Sequence, residues 1–194
     1  MENANIQQAF LSTWTKNPNN KPRSSDVAAV FRVENDILKK NFEQYCVSLG
    51  SYANVGWYYH GTVLRCDIVA NQRCCTNSSC SVCGVCREGF STSKVHSHVS
   101  YQRFGHAFYL APNSSKCHEY SEGYNGYRAL LYCQVAVGRA YEPPTDDPSL
   151  RQPPLGYDSI YGRKGVHHGG IGSLNYDEVA IFIYMRKNTL CIIY

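Results

Sequence analysis

Hydrophobic positions along this chain come mostly in short runs, and their spacing predicts strands more often than helices. DVAAVFRVEN is apolar and β-branched and predicts a strand ending near Asn35. In the following DILKKNFEQYCVSL, Ile37, Leu38, Phe42, Tyr45 and Leu49 fall at roughly helical spacing. Asn35 or Asp36 suits the N-cap of that helix, and Gly50 its stop. NVGWYYHGT predicts a short strand that delivers His60 at its end. RFGHAFYLA predicts another strand, SSKCHEYS a helix start, and YRALLYCQVAVGRA a strongly apolar strand broken at Gly138. EVAIFIY and TLCIIY predict two closing strands with a turn at Arg186–Asn188. Alternation puts Glu178, Ala180 and Phe182 on one face of the first of these, and Val179, Ile181 and Ile183 on the other. Strands dominate and a few helices interrupt, so the class is α+β with a mostly antiparallel sheet.

Three stretches lack such periodicity. Residues 1–23 are polar, with NPNNKPR near their end, and predict a flexible N-terminal tail. The cysteine-rich stretch 66–86 is loop-like. Tyr141 to Gly172 carries most of the chain's prolines and many glycines, which predicts a long ordered or semi-ordered loop. There are no internal repeats.

Composition narrows the function classes. The chain has 194 residues, 43% hydrophobic and 18% charged, which suits one globular domain and excludes a disordered chain. A formal charge of +4 tolerates an anionic partner such as a dinucleotide, but is modest for a domain built to grip nucleic acid. No run of 18 apolar residues is present, and the N-terminus lacks a basic region followed by an apolar one. The expected location is therefore inside the cell, in nucleus or cytoplasm, away from membranes, and the expected state is a monomer.

Ten cysteines change the picture, because six of them fall between Cys66 and Cys86. In a reducing compartment such clustering points to metal more than to disulfides. Zinc takes four thiolates or imidazoles in a tetrahedron, and a C-x-x-C pair can place two sulfurs on one ion. Cys80 and Cys83 form one such pair, and Cys83 and Cys86 an overlapping one. The remaining ligand can come from Cys66, Cys74 or Cys75, with His96 and His98 as nearby substitutes. A cysteine-rich set closes the coordination shell, so the zinc is structural rather than catalytic.

Four separated segments then resemble, in order, the catalytic domain of the poly(ADP-ribose) polymerases. They are VFRVEN at Val30–Asn35, YHGT at Tyr59–Thr62, FGHAFYLAPNSSKCHEY at Phe104–Tyr120 and NYDEVAIF at Asn175–Phe182. PPLGYDSIYG at Pro153–Gly162 resembles the stretch before that family's acceptor loop. The resemblance implies an ADP-ribosyltransferase fold: α+β, mostly antiparallel split β-sheets with few helices, spanning 24–194 as a single catalytic domain with a zinc-binding insertion at 66–86. The cysteine pattern is most similar to fungal-type members carrying this domain. There it suggests Cys66, Cys75, Cys80 and Cys83 as ligands of one structural zinc ion, and sets Cys86 aside.

The resemblance also implies that NAD is the substrate and gives a His-Tyr-Glu set of catalytic residues, His60, Tyr109 and Glu178. His60 would hold ribose hydroxyls, Gly61 would pair its backbone with the nicotinamide carboxamide, and Thr62 completes that end of the site. Tyr109 and Tyr120 would sandwich the nicotinamide ring. Lys116 would sit beside the nicotinamide ribose, and Glu178 would bond its 2′-hydroxyl. Such residue types suit the chemistry. Breaking the nicotinamide–ribose bond leaves positive charge on the sugar, which a carboxylate offsets, and a flat ring is well held between aromatic faces. Two positions depart from the family pattern: Ala107 stands where glycine is frequent, and Cys117 where a serine would bond the carboxamide, a thiol being the weaker donor. His167-His168-Gly169-Gly170 falls in the presumed acceptor loop. The function implied is transfer of ADP-ribose, as single units, to a protein or nucleic-acid acceptor. NAD hydrolysis and a zinc-stabilised non-catalytic binding module are the alternatives.

Overall fold

The computed structural model describes residues 3–91, 95, 101–166, 173–182 and 186–194. Helix α1 (Asn3–Ser12) opens the chain, followed by strand β1 (Ala29–Val33) and helix α2 (Asp36–Leu49). The Asn35 side chain accepts the Leu38 N–H and so caps α2, while Gly50 at φ 57 ends it, as the sequence pattern predicts. Strand β2 (Val55–Gly61) leads into α3 (Ile68–Asn71) and α4 (Ser81–Glu88). Then come β3 (Phe108–Leu110), α5 (Ser114–His118), β4 (Ala129–Ala136), β5 (Ala140–Tyr141), β6 (Ser159–Gly162), β7 (Glu178–Ile181) and β8 (Arg186–Ile193).

The strands form two four-stranded sheets, ordered β1-β8-β4-β2 and β3-β7-β6-β5. Every pairing is antiparallel except β5 with β6. Period-two alternation builds the layers. In β4, Ala129, Leu131, Cys133 and Val135 join the main core, while Leu130 faces a second cluster. In β7, Val179 and Ile181 enter the main core, while Ala180 and, just past the strand, Phe182 pack with Phe104, Ala107, Ile160 and Leu174 on the opposite face. The main core also takes in Ile68, Cys80, Val82, Cys83, Cys86 and Phe90, so the cysteine-rich segment is part of it.

Four readings from the sequence differ from the structure. Residues 1–23, expected as a flexible tail, include α1, whose Ile6 and Phe10 are fully buried and whose following Trp14 is nearly so, against Tyr59, Ala111, Cys117, Leu130 and Ile192. These three residues recur every fourth position; the polar average of the segment hides them. A ten-residue helix is marginal by itself, whereas burying three large side chains stabilises by roughly 1.5–3 kcal/mol each. Arg186–Asn188 lies within β8 rather than in a turn. The loop expected over 141–172 contains β6, which pairs in parallel with β5 and so depends on a partner that local pattern cannot reveal. The cysteine-rich stretch likewise holds α3 and α4, because its cysteines serve as small buried side chains as well as candidate ligands.

Candidate active site and metal centre

The two sheets meet where β2 ends. Tyr59 and Ala111 exchange both backbone hydrogen bonds, at 2.8 and 3.0 Å, which sets the end of β2 beside the end of β3. His60 and Tyr109 therefore become neighbours, and the Tyr109 carbonyl lies 2.8 Å from His60 Nδ1. A carbonyl only accepts, so Nδ1 carries the proton, and a neutral ring then offers Nε2 as an acceptor for a hydroxyl. Phe90 meets the His60 ring edge-on at 4.9 Å and 86° and fixes its plane.

Helix α5 closes against this junction from the other side. A Cβ on Gly61 would lie 1.8 Å from the Cys117 carbonyl oxygen, so only glycine lets α5 approach the strand end so closely. Asn113 caps α5 by accepting the Lys116 N–H. The turn that follows projects Lys116 and Tyr120. Lys116 Nζ sits 2.7 Å from Glu178 Oε1, 3.1 Å from the Tyr120 hydroxyl and 4.9 Å from the Tyr120 ring centre. Glu178 opens β7, an interior strand, and is 7% exposed. Burial alone would lower the Lys116 pKa, but the Glu178 carboxylate outweighs it and holds the ammonium charged well beyond the usual lysine range.

A cleft of about 580 Å³ brings these groups together, within the size range of small-molecule sites. It is lined by His60, Gly61, Thr62, Tyr109, Lys116, Cys117, Tyr120 and Glu178, which are all eight of the cleft residues singled out by the sequence. Two of them are more constrained than their residue types imply. The Tyr109 hydroxyl donates to the Gly105 carbonyl at 3.0 Å and accepts the Phe104 N–H at 2.9 Å. Burial keeps that phenol protonated, so Tyr109 contributes a ring face and no acid or base. Cys117 is buried, its thiol is pushed up to about 12 by burial, and its S–H donates to the Tyr59 carbonyl at 3.0 Å. Ala107, the other departure, lies at the cleft wall and is 2% exposed.

Sequence reasoning missed several lining residues. Phe90, 1% exposed, follows α4 and forms a wall; the aromatic after Gly89 was its only local signal. Lys16 reaches the mouth from the segment expected as a tail and ion-pairs with Glu119. Tyr101, Gln102 and Arg103 line the far end, where Arg103 Nη1 stands 3.2 Å from the Asp146 carboxylate and ties the long proline-rich loop down. His96, His98 and the stretch His167–Gly170 lie outside the described residues.

The four sulfurs of Cys66, Cys75, Cys80 and Cys83 all lie within 4.8 Å of one another. Cys66 to Cys83 is 3.5 Å and Cys66 to Cys80 is 3.9 Å. A tetrahedron of thiolates about 2.3 Å from zinc has sulfurs about 3.8 Å apart, so these spacings fit. Two of the residues enter through α4, with Cys80 at its N-cap and Cys83 in its first turn. The Arg65 N–H donates to Cys80 Sγ at 3.3 Å, the outer hydrogen bond that orients a ligating thiolate, and the Arg87 guanidinium bonds the Cys75 carbonyl. All ten cysteines are free of disulfides. Burial lifts the Cys66 thiol to about 12, and the contact of Cys80 with Cys83, together with burial, lifts the Cys80 thiol to about 12 as well. Cys74 lies beside Cys83 and Cys86, outside the group of four. The four close cysteines can thus hold a metal ion.

Among the described residues no helix is long and apolar enough to cross a membrane. A family model described as the poly(ADP-ribose) polymerase catalytic domain matches residues 1–171, and the two-sheet α+β architecture agrees with it. No curated protein matches the chain.

Proposed function

Since the chain belongs to the poly(ADP-ribose) polymerase catalytic-domain family, we propose that it is an ADP-ribosyltransferase that cleaves the nicotinamide–ribose bond of NAD and passes single ADP-ribose units to a macromolecular acceptor. The observation that carries this reading is the cleft in which a buried Glu178–Lys116 pair faces His60 and two tyrosine rings.

In the reaction, the bond between ribose C1′ and the nicotinamide nitrogen breaks. Its electron pair goes to the ring nitrogen, and a nucleophilic oxygen or nitrogen of the acceptor bonds C1′ and gives up its proton. Positive charge peaks on the ribose between those events. Glu178 accepts a ribose hydroxyl and offsets that charge, an interaction stronger in the transition state than in the ground state. Lys116 fixes the carboxylate from one side. His60, locked by the Tyr109 carbonyl, accepts a ribose hydroxyl through Nε2. The Tyr109 and Tyr120 faces hold the nicotinamide, with the Gly61 backbone at its carboxamide. Because the Cys117 thiol is bonded to Tyr59, the carboxamide grip rests mainly on that backbone.

Cys66, Cys75, Cys80 and Cys83 hold one structural zinc ion, as in the fungal-type members the cysteine pattern resembles. The ion supplies a cross-link and no open coordination position for catalysis. The N-terminal helix α1 belongs to the catalytic unit with residues 24–194, which works in nucleus or cytoplasm as a monomer.

Incubation with NAD labelled in its adenylate, with candidate proteins and nucleic acids present, tests the reading. Label on a macromolecule, in single units, together with released nicotinamide is the expected result. Free ADP-ribose as the only product would make the protein an NAD glycohydrolase, and binding without nicotinamide release would make it a binding module.

A further inference from the structure

Helix α5 carries Lys116 and Cys117 and sets the turn to Tyr120, yet it is five residues long. A helix that short has no stability of its own, so its position must come from its neighbours. In front it has the Lys116–Glu178 pair. Behind it lies the chain's N-terminal segment.

The contacts at the rear are dense and specific. Ser114 Oγ, fully buried, donates to the Phe10 carbonyl at 2.7 Å, and Thr13 Oγ1 lies 3.1 Å from Ser114 Oγ and 2.9 Å from the Ala9 carbonyl. Ser115 Oγ, 2% exposed, accepts the N–H groups of Thr15 and Lys16 at 3.3 and 3.0 Å. It donates to Asn113 Oδ1 at 2.6 Å, the same oxygen that caps α5. Asn113 Nδ2 donates in turn to Thr15 Oγ1 at 2.7 Å. Around these bonds Phe10 and Trp14 pack in one cluster with Ala111 and Cys117, both of which line the cleft on its other side.

From this arrangement we infer that residues 10–16 are a positioning element of the cleft, with Thr13, Thr15, Ser114 and Ser115 as its positioning residues. The segment sets where α5 stands, and α5 sets where the Lys116 ammonium meets Glu178 and where Tyr120 faces the slot. The inference rests on the NAD reading for the ligand; the link between segment and helix stands on the hydrogen bonds themselves. It assigns a purpose to the consecutive serines before Lys116: both hydroxyls turn away from the cleft, toward the N-terminal segment.

The test is the full chain carrying Thr13→Val and Thr15→Val, two nearly isosteric changes at residues that do not line the cleft. Losing one or two hydrogen bonds of about 1 kcal/mol each raises local opening of α5 on the order of tenfold. Amide hydrogen exchange across residues 114–120 is therefore expected to rise about tenfold, while exchange in β4 and the zinc content stay at wild-type values. Titration with nicotinamide is expected to show affinity lowered about fivefold, with the Michaelis constant for NAD rising more than turnover falls. A merely structural role would lower thermal stability and leave nicotinamide affinity, measured well below the unfolding midpoint, unchanged. Unchanged exchange across α5, or faster exchange with nicotinamide affinity intact, overturns the inference. If neither wild type nor variant binds nicotinamide or NAD while α5 exchange still rises, the NAD reading fails and the link between segment and helix holds.

Discussion

The cysteine knot and the cleft differ in how they are assembled. The four sulfurs come from one stretch, Cys66 to Cys83, on and beside two short helices. The cleft draws His60 from β2, Tyr109 from β3, Lys116 from α5 and Glu178 from β7. An ion bound in the knot would hold its four sulfurs as thiolates, which repel one another without it. The cleft is held by the protein's own bonds: the Tyr59–Ala111 bridge, the glycine approach at Gly61 and the Lys116–Glu178 pair. The two are joined at one place. Helix α4 carries Cys83 into the knot and leads through Gly89 to Phe90, which rests on His60. The local cysteine cluster thus braces a distributed site made by topology.

The largest expected effect breaks the local site. Zinc binding to cysteine-rich domains contributes on the order of 10 kcal/mol, comparable with the whole stability of a domain. Cys83→Ser is expected to abolish zinc binding and cooperative unfolding together, as read by elemental analysis and a thermal melt. A zinc-free variant that still melts cooperatively would show that the knot is dispensable and that the fold resides in the sheets.

Next comes the ion pair that holds the distributed site. Lys116→Met leaves Glu178 buried without its partner, which costs about 3 kcal/mol, the low end for such pairs because the Lys116 side chain keeps 17% exposure. In a chain of this size the melting midpoint should fall by roughly 6–12 °C with zinc fully retained. Equal loss of zinc would mean that the two regions unfold as one unit.

A smaller effect belongs to the slot. Tyr120→Ala removes a ring face but no buried charge, so NAD affinity should fall by about 1 kcal/mol, about fivefold, in a binding titration, and stability should barely move. Unchanged affinity would take Tyr120 out of the nicotinamide site.

The smallest effect is at the rear of α5. His118 lies against Trp14 at 4.8 Å, and burial, with the Arg128 cation beside it, pulls its pKa below the ordinary 6.5. The unfolded chain then binds a proton before the folded one does, so this part of the stability is present above about pH 6.5 and is lost as pH falls below it. Melting midpoints of wild type and His118→Gln, compared at pH 7.5 and 5.5, should draw closer together at the lower pH. A gap that widens on acidification would reverse the sign.

The contrast also explains what the sequence made legible. Spacing alone narrows the candidate metal ligands to a handful of cysteines, because the site is local. The cleft residues are each unremarkable in isolation, and the order of the YHGT, FYLAPNSSKCHEY and NYDEVAIF segments is what links His60, Tyr109 and Glu178. Long, regular elements such as α2 and β4 follow their patterns closely. The misread elements had their meaning elsewhere in the chain. Helix α1 and the turn after it are three buried residues on a polar background, docked on Cys117 and Ile192. Strand β6 exists through its pairing with β5 and β7. Phe90 becomes a cleft wall only when the chain after α4 brings its ring onto His60.

Comparing Glu178→Gln with wild type for nicotinamide release from NAD, with NAD affinity and zinc content measured on the same samples, tests the central claim most directly. Glutamine keeps the shape of the side chain and removes the charge that meets the transition state, so turnover should fall by roughly 100-fold or more, while affinity shifts far less and zinc stays bound. Wild-type turnover in Glu178→Gln would contradict the account, for the buried carboxylate would then have no part in breaking the bond.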